Sequence, residues 1–288
     1  MINNIKMKNL LTVLCFFVIS SALQAQKFQG KAIYKTHRKM NLNLAGPNGS
    51  TMSDEQKAKL NARLMKQFQK TFVLTFDKTS SIYKEEKSLK APSVVPTGGA
   101  NVMVREFGGG GGNDVLYKNI KENRFANQTE IMGKRFLIKD KMTQNDWKMT
   151  GETKNIGVYT CYKATFTRQE EQSNMNVVDG EVKESTKMVD VVTTAWYAPS
   201  IGVSNGPSNY SGLPGLILEI NEGAQTIVCS EIIMNPAEKI EILEPTKGKV
   251  VTQDKYRKIM EKKTKEMMEK FKSRRGGNGR NMQIRIGG

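Results

Sequence analysis

WYAPSIGVSNGPSNYSGLPGLILEI, residues Trp196 to Ile220, decides how this chain folds. Pro199, Gly202, Gly206 with Pro207, and Gly212 through Gly215 recur every few residues, so the backbone must bend repeatedly between Trp196 and Leu216 without regular structure. Gly206-Pro207 and Leu213-Pro214 each place a fixed φ after a residue pushed to extended geometry, and Gly212 and Gly215 can take the positive φ of tight turns. Leu216, Ile217, Leu218 and Ile220 then read as a mostly buried strand. The pattern predicts a structured loop folded onto the rim of a sheet, with Trp196, Tyr197 and Tyr210 as its packing weights.

Upstream, short alternating segments separated by polar turns predict strands at Phe28 to Lys35, Phe72 to Phe76, Ser80 to Lys84, Val115 to Tyr117, Glu130 to Met132, Phe136 to Ile138, Trp147 to Thr150 and Val158 to Phe166. Longer strands around Met175 to Val178 and Lys187 to Tyr197 flank Asp179-Gly180, a hairpin turn. Ile217 to Ile220 and Ile227 to Ile233 close the series. Few helical stripes interrupt it, which excludes a run of βαβ crossovers. The expected fold is therefore β-rich α+β: a curved antiparallel sheet or partial barrel. One packed helix is predicted after Ser53 or Asp54, where Leu60, Leu64 and Phe68 recur every four residues. A basic helix over Asp254 to Ser273 carries Tyr256, Met260, Met267 and Phe271 near one face.

GLPGLI at 212–217, with Trp196, Gly206-Pro207 and Tyr210, resembles the signature of the GLPGLI family of exported bacterial proteins. The resemblance extends through Phe136 to Asp140, Trp147, Glu152-Thr153-Lys154 and Tyr159 to Ala164. It implies export and a motif loop made of Trp196, Gly206, Pro207, Tyr210, Gly212, Leu213, Pro214 and Gly215, but no activity, cofactor or catalytic residue. In architecture alone the strand pattern is similar to the half-barrel of periplasmic lipoprotein carriers.

The ends carry the targeting and charge signals. Lys6 and Lys8 precede the apolar run Leu10 to Ile19, and small residues lead to Ala25, so residues 1–25 read as a signal peptide too short to span a bilayer. Residues 26–245 form the expected single β-rich domain, with a glycine-rich insertion at 91–114. Residues 246–288 form the basic helix and a tail expected to be disordered. The chain carries a net charge of +17. From Thr246 onward nine Lys and five Arg face four acids, so +10 of that sits in the last segment.

The candidate chemistry is poor. Gly202-Val203-Ser204-Asn205-Gly206 has the spacing of a nucleophile elbow, but Pro207 and Gly212 forbid the helix that must follow, and the only histidine, His37, lies far upstream. Gly108 to Gly112 lacks the Lys-Ser/Thr of a phosphate loop. One histidine leaves too few ligands for a zinc site, and the sixteen methionines are scattered, so neither a metal nor a cofactor is expected. Glu170-Glu171 and Glu219 with Glu222 could flank a glycosidic bond only if the fold set their spacing. Cys161 and Cys229 are the thiols outside the targeting segment; in an oxidising compartment they would pair, or, if their strands stand apart, remain small buried residues.

These features point away from catalysis. The expected protein is periplasmic, secreted or outer-membrane associated, and two functions fit. One is a binding or carrier module that holds an apolar or extended ligand against the sheet, with the motif loop as gate. The other is an envelope scaffold that meets a partner protein, an anionic membrane or a polysaccharide through Lys262, Lys263, Lys270, Lys272, Arg274 and Arg275. Export leaves nucleic acid an unexpected partner.

Overall fold

Alternating apolar residues turn most of the chain into strands. The computed structural model describes residues 28–38, 53, 55, 69–86, 114–178, 181–238, 240–274 and 283–286. In chain order these give β1 (Gln29–Arg38), β2 (Lys70–Asp77), β3 (Ser80–Glu85), β4 (Val115–Asn119), β5 (Arg124–Ile131), β6 (Lys134–Lys141), β7 (Lys148–Ile156), β8 (Tyr159–Val178) and β9 (Glu181–Ala198). There follow β10 (Leu216–Glu222), β11 (Gln225–Met234), β12 (Lys249–Val251), α1 (Gln253–Arg274) and β13 (Gln283–Ile286). The targeting segment, the helix expected from Asp54 to Phe68, the Gly-rich insertion up to Asn113 and the Asp179-Gly180 turn lie outside the described residues, apart from Glu55.

All thirteen strands belong to one mostly antiparallel sheet, in the order β12-β6-β5-β4-β3-β2-β1-β11-β10-β9-β8-β13, with β7 also on β8. Only the β12–β6 pairing is parallel. The sheet is open, its ends being β12 on one side and β7 and β13 on the other. The two strands expected at 158–166 and 175–178 are one strand of 20 residues, β8, paired along its length with β9.

The sheet curls because one face is apolar and must be covered. That inner face carries Tyr34, Leu74, Phe76, Tyr83, Leu116 and Ala164 in one core with the loop between β9 and β10. Lys118 of β4 donates from Nζ to the Gly206 carbonyl at 2.7 Å, and the neighbouring Asn205 carbonyl accepts from the Ile217 amide of β10 at 2.9 Å. Along this path the Lys118 and Ile217 backbones are within about 15 Å of each other. β4 and β10 are five strands apart in the sheet, about 24 Å if it were flat. The sheet is therefore rolled around the loop.

The segment after β11 seals the far end on both sides. Ile242 packs outside on Tyr117, Ala126 and Leu137, while Tyr256 and Ile259 of α1 cover Phe136, Ile138 and Val251 inside. Tyr256 meets Phe136 edge-on at 5.7 Å between ring centroids. The helix buries its stripe through Tyr256 and Ile259, one turn that the Tyr256–Met260 spacing assigned only in part.

At the middle of the roll the Tyr34 hydroxyl, fully buried, donates to the Ile217 carbonyl at 2.7 Å. Tyr34→Phe leaves that buried carbonyl without its donor, so we expect a loss of about 1–3 kcal/mol in urea unfolding with an unchanged m-value; a change below a few tenths of a kcal/mol would place the carbonyl in contact with solvent.

Candidate functional site

The most distinctive local structure is the loop at 199–215. The stretch expected as one loop from Trp196 starts later, because Trp196, Tyr197 and Ala198 still pair with β8 or β10. Amides of Val203 and Asn205 each bond the carbonyl two residues back, so Ile201, Val203 and Asn205 turn inward and Gly202 is exposed. Ile201, Val203 and Leu213 are buried in the core. The loop backbone also bonds directly to the start of β10, Ile201 O to the Leu216 amide and Asn205 O to the Ile217 amide.

Three side chains pin it. Lys118 Nζ bridges the carbonyls of Gly206 and Tyr210, at 2.7 and 3.2 Å. Trp147 donates from Nε1 to the Ser211 carbonyl at 2.9 Å and packs edge-on against Phe166 at 4.6 Å. The Tyr210 hydroxyl donates to Glu222 Oε2 at 2.7 Å, where Arg168 also donates, in bidentate fashion, along with the Thr193 hydroxyl. Burial alone would raise the Glu222 carboxyl, but the hydrogen bonds from Arg168, Thr193 and Tyr210 outweigh it and hold the group below its ordinary value. Burial pushes the Tyr210 phenol up, so it remains a donor across the working pH range.

Lys118 is only 1% exposed, and among the described residues no carboxylate pairs with it. Burial pushes its ammonium down to about 7. The glycines make its approach possible. A Cβ on Gly206 would stand 2.8 Å from the Ile217 Cβ, and one on Gly215 would stand 2.4 Å from the Ala198 carbonyl oxygen. Gly212, Pro207 and Leu213 complete the fit: Gly212 lies beside the Trp147 indole, Pro207 and Leu213 are buried, and Pro214 faces out.

The other predicted residues are dispersed. Trp196, on the face of β9 opposite Tyr197, is half-buried and packs against the core cluster, its ring 4.4 Å beneath the Lys154 Nζ, which also reaches Glu219 at 2.7 Å. Glu219 and Glu222 fall on opposite faces of β10 and serve different ion pairs, so they cannot flank one bond. No helix follows Ser204. Among the described residues no cluster of His, Cys, Asp and Glu is arranged to hold a metal.

The disulfide considered for Cys161 and Cys229 is corrected: both thiols are free and buried. They sit in β8 and β11, strands that β9 and β10 separate in the sheet. Burial pushes the Cys161 thiol up, and it pushes Cys229 up to about 12, which leaves little thiolate. Of the basic residues named from the sequence, Lys262 is exposed and Lys263 pairs with Glu266 at 2.5 Å; the side chains of Lys270, Lys272 and Arg274, and all of Arg275, lie outside the described part. Lys118 and Trp147 are the anchors that sequence reasoning did not assign.

With that geometry in place, comparison with known proteins gives a narrow result. A family model described as a protein of unknown function (Porph_ging) matches residues 147–219, which run from the Trp147 anchor through the loop to Glu219. No curated protein matches the chain. Two solved structures, titled as PNGF-II in the C2 and P21 space groups, are similar at 12% identity with TM-scores of 0.46 and 0.47. They match 80% and 81% of this chain but only 32% and 33% of their own, so the chain spans about a third of their length.

Two measurements test the pinning. Gly206→Ala should cost about 2 kcal/mol or more, because the new methyl meets a strand side chain that cannot move; a neutral change in unfolding free energy would mean that the loop stands off β10. For Lys118 the folded pKa of about 7 lies below the unfolded value of about 10.4, so between them unfolding takes up a proton. In buffer without halide, stability should therefore rise from pH 7 to about pH 9.5, by up to about 1.4 kcal/mol per unit, and Lys118→Met should remove that slope. A flat native profile would contradict the burial of this charge.

Proposed function

We propose that this protein is a non-enzymatic scaffold of the cell envelope that docks on anionic surfaces through α1. The observation that carries the reading is a stripe of exposed lysines, Lys255, Lys258, Lys262 and Lys265, on the flank of the helix that begins beside Ile259 and runs away from Tyr256. At 100° per residue these four fall within about a quarter of the helix circumference. The sheet and its pinned loop supply a rigid body beneath that stripe, and the targeting segment read at the N-terminus supports an exported location. No helix among the described residues is long and apolar enough to cross a membrane.

The carrier reading has one supporting feature. Helix α1 covers the β6 end of the same apolar face that the loop fills, so an outward swing of the helix would uncover Phe136 and Ile138. The loop, however, is itself part of the core, and the space in which a ligand would lie beside β10 holds Ile201, Val203 and Leu213. The scaffold reading needs no such opening.

Flotation of the full chain with phosphatidylcholine vesicles, with and without phosphatidylglycerol, tests the proposal. Each lysine near an anionic surface contributes about 1 kcal/mol, so the charge reversal K258E/K262E/K265E should weaken binding more than 100-fold. Raising salt from about 0.1 M to about 1 M should release the native protein, as the screening length falls from about 10 Å to about 3 Å. Binding that persists in the variant, or no enrichment on anionic vesicles, would overturn the reading.

A further inference from the structure

The pinning lysine stands in an unusual electrostatic position. An ammonium offers three N–H donors, and Lys118 uses two, to Gly206 O and Tyr210 O. Nothing negative balances it among the described residues. Directly across the β3–β4 ladder from Lys118 is Ser81, whose side chain is completely buried and whose Oγ has no hydrogen-bond partner among the described residues. At the far end of the lysine, Asn205 is also 0% exposed. Its Oδ1 accepts from the Gly206 amide at 2.8 Å, which fixes the orientation of the carboxamide, and its Nδ2 is left with two unused donors. Leaving buried polar atoms unpaired is costly. Lys118 runs from the ladder position opposite Ser81 to the carbonyl next to Asn205, so its spare donor and theirs belong to one buried junction of β3, β4 and the loop.

The inventory specifies the partner's chemistry. Lys118 and Asn205 can only donate at these atoms, and Ser81 can donate, so the partner must be an acceptor. It must be small, since Lys118, Ser81 and Asn205 are all closed off from solvent. We propose that the junction of β3, β4 and the loop is a binding site for a single small monovalent anion, a halide, which neutralises Lys118 and meets the donors of Asn205 and Ser81. A water molecule would satisfy the same atoms without balancing the charge, and the test separates the two. The site is independent of the scaffold reading and would persist if that reading failed.

Halide binding requires the charged lysine, so its effect grows as pH falls. In the core around the site the other ionisable groups are the phenols of Tyr83, Tyr34 and Tyr210 and the thiols of Cys229 and Cys161, and burial raises all five. On the same and adjoining elements Glu85 of β3 pairs with Lys70 of β2, Glu222 of β10 pairs with Arg168 of β8, and His37 lies on β1. Lys118→Met is therefore the control that assigns the pH dependence to Lys118.

The experiment compares melting midpoints of the full chain in sodium chloride, sodium bromide and sodium gluconate at equal ionic strength. At pH 6 the midpoint should be higher in either halide by about 3 °C or more, and the difference should vanish by pH 9. The surface variant K258E/K262E/K265E should keep the shift, while Lys118→Met should lose it. Should Lys118→Met not fold, Asn205→Ala should reduce the shift. A bromide-soaked crystal should show an anomalous peak in contact with Lys118 Nζ. Equal midpoints in halide and gluconate at pH 6 would overturn the anion site in favour of water. A shift that survives in the lysine or asparagine variant, or is abolished by the surface variant, would equally overturn it.

Discussion

Everything in this fold hangs on a buried lysine reaching two backbone carbonyls. Lys118 grows from the short strand β4 and ends on Gly206 and Tyr210, in a loop that belongs by sequence to the other half of the chain. Taking an ammonium out of water is costly, and two carbonyls recover only part of that cost. The contact persists because the apolar loop residues beside it, Ile201, Val203 and Leu213, gain more by lying inside the sheet than the lysine loses. Curl, loop and lysine are one solution: the sheet cannot flatten without withdrawing the ammonium from its acceptors, and the loop cannot leave without exposing the core.

The remaining anchors act on the loop's second half. Trp147 holds Ser211 from the approach to β7, and Glu222 holds Tyr210 from the end of β10. Glu222 is itself fixed by a bidentate arginine and a threonine, so Tyr210 docks on a carboxylate that is already placed. This division explains why the motif has both glycines and aromatics. Glycine lets the backbone approach β10 and the end of β9 closely, and the aromatic groups then fasten what glycine has allowed. The stretch that matches the uncharacterised family, 147–219, includes the Trp147 anchor and the loop but neither Lys118 nor Glu222.

Much of this was legible in the sequence. Alternation in β1, β2 and β6, the apolar run of β10 and the punctuation of the loop all predict what the structure contains, because each is a local backbone or burial requirement. What escaped was set by long-range contact. Lys118 sits in a five-residue strand where a lysine reads as solvent-facing, and its partners are 88 and 92 residues away. The middle of β8, Arg168 to Asn174, has no apolar alternation, so its continuity comes from pairing with β9 rather than from its own pattern. The pairing of Cys161 with Cys229 depended on strand order, which spacing along the chain does not reveal. Trp196 looked like part of the loop because it adjoins the prolines and glycines, yet strand pairing carries β9 on to Ala198.

Amide hydrogen exchange across the loop tests the central claim most directly. If the loop is the core of the rolled sheet, the amides of Asn205 and Ile217 should exchange only through global opening, with the same free energy as the central strands β1 and β10. Exchange of these two amides orders of magnitude faster than that of β1 would show a loop lying on the sheet rather than inside it, and would contradict the account.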